Sequence, residues 1–491
     1  TAATVWHIHP VALGEPPNIS SSPTLAWEFM QREKGLPEEP LYDLPAKLVQ
    51  NPFYAIKLGL TAHARRSNTT AAGNAHRSAS LSDTDRMRVL RAVEPPVRKI
   101  FYVCEVILKS HRAYLLKTLL KHAQTPLLSV NRRSTAERRG LLSHSFWWIM
   151  HSEWFRQPVH LWRKFTVRFE PHELGSDYGG LTKEWFRILG RDLFAKADYG
   201  LFRPSPRGGC LEVHPDSRLV HGDEALMYYR FAGRIIGMAL ISGHVMPECK
   251  LGRHVWKMFT ARGMSFDDIR SIDPEIHKSL QQLLRVSDAS LCDITGHDFR
   301  RVTMLGKEVA VLPDGPEHQI TNENRDGYVG RLVYALLVGQ CEDQLKHMMS
   351  GLCDVVRPEI LALLEPEEMQ GIICGDPEPL DVAQWKEHTV VLTGESYMTE
   401  AADDDALVDC FWSAVAELSQ DDRRRLLQFW TGSSATPMGG FAAFGHTGSS
   451  RPRKLTLKLC EGDALPTAAT CFNELKLPRG AAGGGGGVTR M

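Results

Sequence analysis

Leu465-Pro466-Thr467-Ala468-Ala469-Thr470-Cys471-Phe472-Asn473-Glu474-Leu475-Lys476-Leu477-Pro478 is the stretch on which the reading of this chain turns. Pro466 fits neither a helix interior nor a central strand, so it marks a loop entering the segment. Leu475 and Leu477 alternate with polar residues and predict a short strand with one buried face. Cys471 therefore falls on a loop just before a strand, where a thiol can meet a partner while the strand holds its backbone. A free cysteine is more often a small buried hydrophobe, so spacing alone does not single it out.

Upstream, Leu455-Thr456-Leu457-Lys458-Leu459 alternates strictly and predicts a second strand. Ala406 to Leu418 and Asp421 to Trp430 predict two amphipathic helices, the second with Ser419 as N-cap and a stop at Thr431-Gly432. Gly375-Asp376-Pro377-Glu378-Pro379 continues neither a helix nor a central strand, and is expected to be a hinge. Before it, Ile320 to Arg325 caps and starts a helix through Leu332 and Leu337. Asp223 to Ile241 predicts a helix in which Gly233 and Gly237, one turn apart, admit a neighbouring backbone. His254 to Phe259 is a short bulky apolar helix, read as core or as a partner groove.

Phe165 to Phe169 predicts a strand. Gly179-Gly180 predicts a tight turn, followed by a helix with Leu181, Trp185, Leu189 and Leu193 on one side. The glycines match neither G-x-G-x-x-G nor a Gly-Lys-Ser/Thr ending, so a phosphate loop is set aside. A helix after Asn131 is expected to bury Leu141, Leu142, Phe146, Trp147 and Met150. Arg86 to His122 shows helical periodicity broken at Pro95-Pro96, and Ala62 to Asp85 reads as a solvated linker.

The 491 residues suffice for two to four domains. Basic and acidic residues balance at 58 each, so no net field draws the chain to nucleic acid or an anionic membrane. No apolar run reaches spanning length. The 10 cysteines include no C-x-x-C pair, which supports neither a zinc ribbon nor a disulfide framework and suits the cytosol or nucleus. A start on Thr1 suggests a fragment or a processed form.

The pattern Leu-Pro-x-Ala-x-Thr-Cys-Phe-Asn-x-Leu-x-Leu-Pro resembles the active-cysteine signature of the HECT family of ubiquitin ligases. Asp177 to Glu184, Phe231 to Leu240, Ile320 to Arg325, Leu427 to Ser433 and Met438-Gly439-Gly440 resemble further family segments, in the family's order. The resemblance implies an α+β, two-lobed module. A large, mostly helical N-lobe over 131–374 would dock a ubiquitin-conjugating enzyme through a surface between about 245 and 290, with Trp256, Met258 and Phe259 as candidate contacts. A hinge at 375–379 would join it to a small α/β C-lobe over 380–478 carrying Cys471. Before them lies a helical and irregular region, 1–130, without an assigned function, and after them a Gly-rich tail, 479–491, expected to be disordered.

By the same resemblance, Cys471 takes ubiquitin from the conjugating enzyme as a thioester and passes it to lysines of protein substrates. Thioester exchange is near thermoneutral and requires a thiolate but no metal or cofactor; an ordinary thiol, with a pKa of about 8.5, is only a few per cent ionised near neutral pH. Thr470 is placed to donate toward the thiolate or the oxyanion, and Asn473 to do the same or to fix the loop. Family members continue past the final Leu-Pro with a helix and an aromatic, acidic tail, where this chain has Arg479-Gly480-Ala481-Ala482 and five glycines. The alternative is therefore a catalytically weak scaffold that binds a conjugating enzyme or substrate. A papain-like hydrolase is disfavoured, because no partner histidine spacing accompanies the cysteine.

Overall fold

The structure is a computed structural model. It describes residues 108–118, 125–131, 140–155, 157–170, 180–195, 199–205, 209–285, 301–304, 307–310, 325–393, 401–444, 454–462 and 464–482. Most of the periodic segment from Arg86 to His122, the linker reading and the cap at Ile320 to Asn324 lie outside these residues.

The main elements in chain order are α1 (Lys109–Thr118), β1 (Leu127–Asn131), α2 (Gly140–His151), β2 (Thr166–Glu170), α3 (Gly180–Gly190), β3 (Phe202–Pro204), β4 (Leu211–Val213), α4 (Ala225–Ser242), α5 (Arg253–Phe259) and α6 (Pro274–Arg285). They continue with β5 (Arg301–Met304), β6 (Lys307–Ala310), α7 (Arg325–Tyr334), α8 (Glu342–Val355), α9 (Pro366–Cys374), α10 (Val382–Glu387), β7 (Thr389–Leu392), α11 (Ala401–Glu417), α12 (Gln420–Thr431), β8 (Leu455–Cys460), β9 (Thr467–Ala469) and β10 (Glu474–Pro478). The mixture of long helices and small sheets is that of an α+β protein.

Contacts group the chain into two compact units. Of the described residues, one comprises those within Leu193–Gly237 and Lys250–Met369; the other comprises those within 108–192, Met238–Cys249 and 370–482.

In the first unit, α4 and α8 pack backbone to backbone. A Cβ on Gly233 would overlap the Met348 carbonyl, and one on Gly351 would overlap the Arg230 carbonyl, so each helix presents a glycine to the other. The crossing is tied by Arg230 and Arg234, whose guanidinium Nε atoms donate to Asp354 at 2.8 and 2.9 Å. A Cβ on Gly237 would overlap the Val355 side chain, which explains the one-turn glycine spacing. Helix α5 inserts its aromatic residues into this unit's core. Trp256 and Phe259 are fully buried, and Trp256 Nε1 donates to the Leu251 carbonyl at 3.0 Å. Beneath α5 the Asp268 carboxylate has no solvent exposure and accepts from Lys257 at 2.7 Å and Arg253 at 2.9 Å. The neighbouring His254 is wholly enclosed, and burial pushes its imidazole down from its ordinary value to about 4.

The second unit contains two sheets. Parallel β1 and β2 pair Leu127 with Thr166 and run to Asn131 opposite Glu170. Against them α2 buries Leu141, Leu142, Phe146, Trp148 and Ile149. Trp147, expected inside, is 62% exposed, because the apolar face turns one position further along the helix. Ser145 Oγ donates to the Leu141 carbonyl at 2.7 Å and accepts from the buried Trp185 indole of α3 at 2.9 Å.

The other sheet has the order β7-β8-β10-β9. β7, β8 and β10 are parallel, and β9 pairs antiparallel with β10 at the edge. Leu455, Leu457 and Leu459 of β8 and Leu475 and Leu477 of β10 face one core with Trp385, Phe411, Trp412, Leu427, Trp430 and Phe441. Trp385 stacks on Phe441 with ring centroids 5.0 Å apart. The strict alternation in these strands is the physical cause of the one-sided core.

Ser419 caps α12 by accepting from the Asp422 N–H, and Gly432 closes that helix in the left-handed region at φ 83°. Between α9 and α10, Gly375 sits at φ 89°. The Asp376 N–H donates to the Thr436 carbonyl at 2.9 Å, and the Asp376 carboxylate accepts from the Gly439 N–H at 3.1 Å. After β10 the expected disordered tail begins instead as a single 3-10 turn, Arg479–Ala482. Arg479 explains it: its guanidinium grips the Asp404 carboxylate of α11 at 2.7 and 2.9 Å and Glu461 at 2.7 Å. That pairing holds the Asp404 carboxyl below the usual carboxylate range.

Candidate active site: the Cys471 turn

The antiparallel hairpin of β9 and β10 pairs Ala469 with Glu474 and leaves residues 470–473 as its tip. Thr470–Phe472 forms one 3-10 turn, and Asn473 reverses the chain in the left-handed region at φ 51°, ψ 39°. Asparagine is among the few residues with a Cβ that occupy this region readily. Cys471 is half-buried and Phe472 is exposed, so the turn is not part of the sealed core.

The turn is fixed from both sides. The buried Trp430 indole of α12 donates to the Asn473 carbonyl at 2.8 Å, and the Thr456 N–H of β8 donates to the same oxygen at 2.9 Å. From α3, Lys183 Nζ donates to the Thr470 carbonyl at 3.1 Å and to Asn473 Oδ1 at 3.3 Å, and reaches the Thr431 carbonyl at 3.5 Å. One turn of helix before Lys183, Gly180 lies directly under the thiol: a Cβ at that position would overlap Cys471 Sγ. An open cleft of about 340 Å³ adjoins the turn, lined by Gly180, Lys183, Arg187, Arg425, Phe429 and Thr470 among others.

The residues expected at the site therefore separate. Cys471, Thr470 and Asn473 share one turn. Asn473, only 8% exposed, spends its backbone carbonyl and its side-chain oxygen on anchoring the loop. Thr470 contributes its carbonyl to Lys183. Trp256 and Phe259 belong to the core of the first unit and offer no side-chain surface to a partner; their neighbour Met258 is half-buried. A row of bulky apolar residues on a short helix goes inward, because burial of each ring removes a large apolar area from water.

Three residues of the site were not singled out in the sequence. Gly180 was read as a turn glycine, yet it belongs to α3 and makes room for sulfur. Lys183 follows it by three positions, which puts both on one helix face, and that spacing was the available signal. Trp430 had none beyond its place on an apolar face. Among the described residues no group of three or more His, Cys, Asp or Glu side chains is arranged to hold a metal ion. Among them, too, no helix is long and apolar enough to cross a membrane.

Comparison with known proteins adds a family. The family described as HECT-domain (ubiquitin-transferase) matches residues 187–480, more than half of the chain. The chain is 32% identical over 320 residues to the E3 ubiquitin-protein ligase ptr1 of Schizosaccharomyces pombe and 33% identical over 319 residues to the E3 ubiquitin-protein ligase TOM1-like of Neurospora crassa. It is 32% identical over 317 residues to the E3 ubiquitin-protein ligase Nedd-4 of Drosophila melanogaster. Each match covers 64% of this chain, but only 9%, 7% and 30% of those three relatives respectively.

Proposed function

The chain belongs to the HECT-domain (ubiquitin-transferase) family, and on that premise we propose that it is a ubiquitin-protein ligase in which Cys471 carries ubiquitin as a thioester. The observation that carries this reading is a half-buried cysteine on a turn anchored from three elements. A nucleophile that must accept and release a whole protein needs a fixed backbone outside the sealed core, and the turn supplies it.

In the first step the Cys471 thiolate attacks the thioester carbonyl that joins ubiquitin to the conjugating enzyme's cysteine. A C–S bond forms to Cys471, the bond to the donor sulfur breaks, and the donor leaves as a thiolate. In the second, a substrate lysine amine attacks the new thioester, loses a proton, and releases the Cys471 thiolate as the amide forms. The partners are ubiquitin, a ubiquitin-conjugating enzyme and protein substrates, in the cytosol or nucleus. The lobes are placed at 131–374 and 380–478, with the segment 375–379 as the hinge between them. Conjugating-enzyme docking is kept between about 245 and 290, through residues other than the buried Trp256 and Phe259.

The test is incubation with ubiquitin-charged conjugating enzyme, read on a non-reducing gel. A thiol-sensitive ubiquitin adduct that disappears in Cys471→Ala is expected. Ubiquitin found on substrate with no such adduct, or an adduct unchanged in Cys471→Ala, would refute the thioester.

A further inference from the structure

The first turn of α3 meets the cysteine turn with two side-chain features. Gly180 has no Cβ where Cys471 Sγ sits. Lys183, half-buried on the same helix face, directs its ammonium at oxygens of Thr470, Asn473 and Thr431. Two of these flank Cys471 in sequence, and the third belongs to the last residue of α12. An ammonium has three donors and can satisfy three acceptors at once, and a charged donor strengthens each bond. The Thr431 carbonyl belongs to the last residue of α12, where backbone oxygens lack partners within the helix; the Thr470 carbonyl also accepts from the Asn473 N–H that closes the 3-10 turn.

We propose that Lys183 is the positioning residue of the cysteine turn: it clamps Thr470 and Asn473 about the nucleophile while Gly180 leaves the space into which the thiol fits. Lys183 acts on the turn through the Thr470 carbonyl and the Asn473 side-chain oxygen. Its loss leaves the hairpin paired through β10 and Trp430 but frees the tip, so the sulfur spends less time in the attacking geometry. The inference rests on Cys471 being the ubiquitin carrier.

Three variants test it: Lys183→Met, which keeps the stem and removes the donors; Lys183→Arg, which restores a cation with donors; and Gly180→Ala. In single-turnover loading from charged conjugating enzyme, Lys183→Met is expected to lower the maximal rate about tenfold while the half-saturating enzyme concentration stays put. Lys183→Arg should recover most of the rate. In parallel, the rate at which iodoacetamide alkylates Cys471 is measured with no ubiquitin present. Lys183→Met and Gly180→Ala should raise it several-fold by releasing the thiol from its seat, and Lys183→Arg should not. Wild-type loading and wild-type alkylation in Lys183→Met would overturn the proposal, as would a loss of rate that Lys183→Arg fails to rescue. If the wild-type chain forms no adduct at Cys471, the thioester reading fails, and the alkylation rates still decide whether Lys183 holds the turn.

Discussion

The cysteine turn and helix α5 were the two places marked out for contact with other proteins, and they are built on opposite plans. The turn, Thr470 to Asn473, leaves Phe472 exposed and is held by hydrogen bonds to carbonyl oxygens. Helix α5 carries the largest side chains of its unit and buries them, with an enclosed carboxylate and ammonium beneath. Size and apolarity decide what goes inside; reactivity is left to residues with little area to hide. Four measurements can break or sharpen this contrast.

The largest effect is expected in α5. Trp256→Ala should cost about 3–5 kcal/mol in urea-induced unfolding, the usual cost of emptying an aromatic core site. A variant of unchanged stability that had lost affinity for a conjugating enzyme would return Trp256 to the surface role.

Next comes acid. His254 is held down to about 4 by burial. Below its ordinary value of about 6.5 the unfolded chain binds a proton that the folded chain refuses, so stability falls as pH drops from about 6.5 toward about 4. Urea midpoints at pH 7 and pH 5 should differ by about 2 kcal/mol in stability, and His254→Asn should remove most of that difference. An equal pH slope in the variant would place the proton uptake elsewhere.

On the side of the turn the effects are smaller, because fewer atoms are buried. Trp430→Phe keeps the ring and deletes the donor to the Asn473 carbonyl, which still accepts from the Thr456 N–H. A loss of about 1–1.5 kcal/mol in unfolding experiments is expected. Faster amide exchange at Asn473 should accompany it.

The smallest change is expected at the end of the described chain. Arg479→Met removes the fork on Asp404 and should cost about 1 kcal/mol, discounted for its solvent-facing side. Because pairing holds the Asp404 carboxyl low, the stabilisation is present above the ordinary carboxylate range and fades as pH falls through the lowered value. Salt titration of wild type and variant checks the electrostatic part.

Much of the fold could be read directly. Alternation placed β8 and the buried Leu475 and Leu477, the serine and glycine bounding α12 marked its ends, and the Gly233 and Gly237 spacing announced a close helix crossing. These signals are local, and local chemistry is what sequence periodicity records. The motif around Cys471 pointed to the family that the comparison shows. What escaped depends on residues far apart along the chain. Lys183 meets Asn473 across 290 positions, and nothing near Lys183 states which carbonyls it will find. Trp147 and Trp148 are neighbours of equal hydrophobicity, and the choice between them is made by the sheet on which α2 rests. The 3-10 turn at Arg479 was hidden because glycine content was weighed and a single arginine's distant carboxylates were not.

The parallel register of β7, β8 and β10 carries a further consequence. Open α/β sheets usually collect small ligands in the crevice beyond the carboxyl ends of their strands. Cys471 stands at the other rim, where β10 begins, and the carboxyl rim near Pro478 is occupied by the Arg479 clasp. A molecule that had to enclose a metabolite would gain little from this placement. The cysteine turn lies instead at the start of a strand beside an edge hairpin, against the first turn of α3.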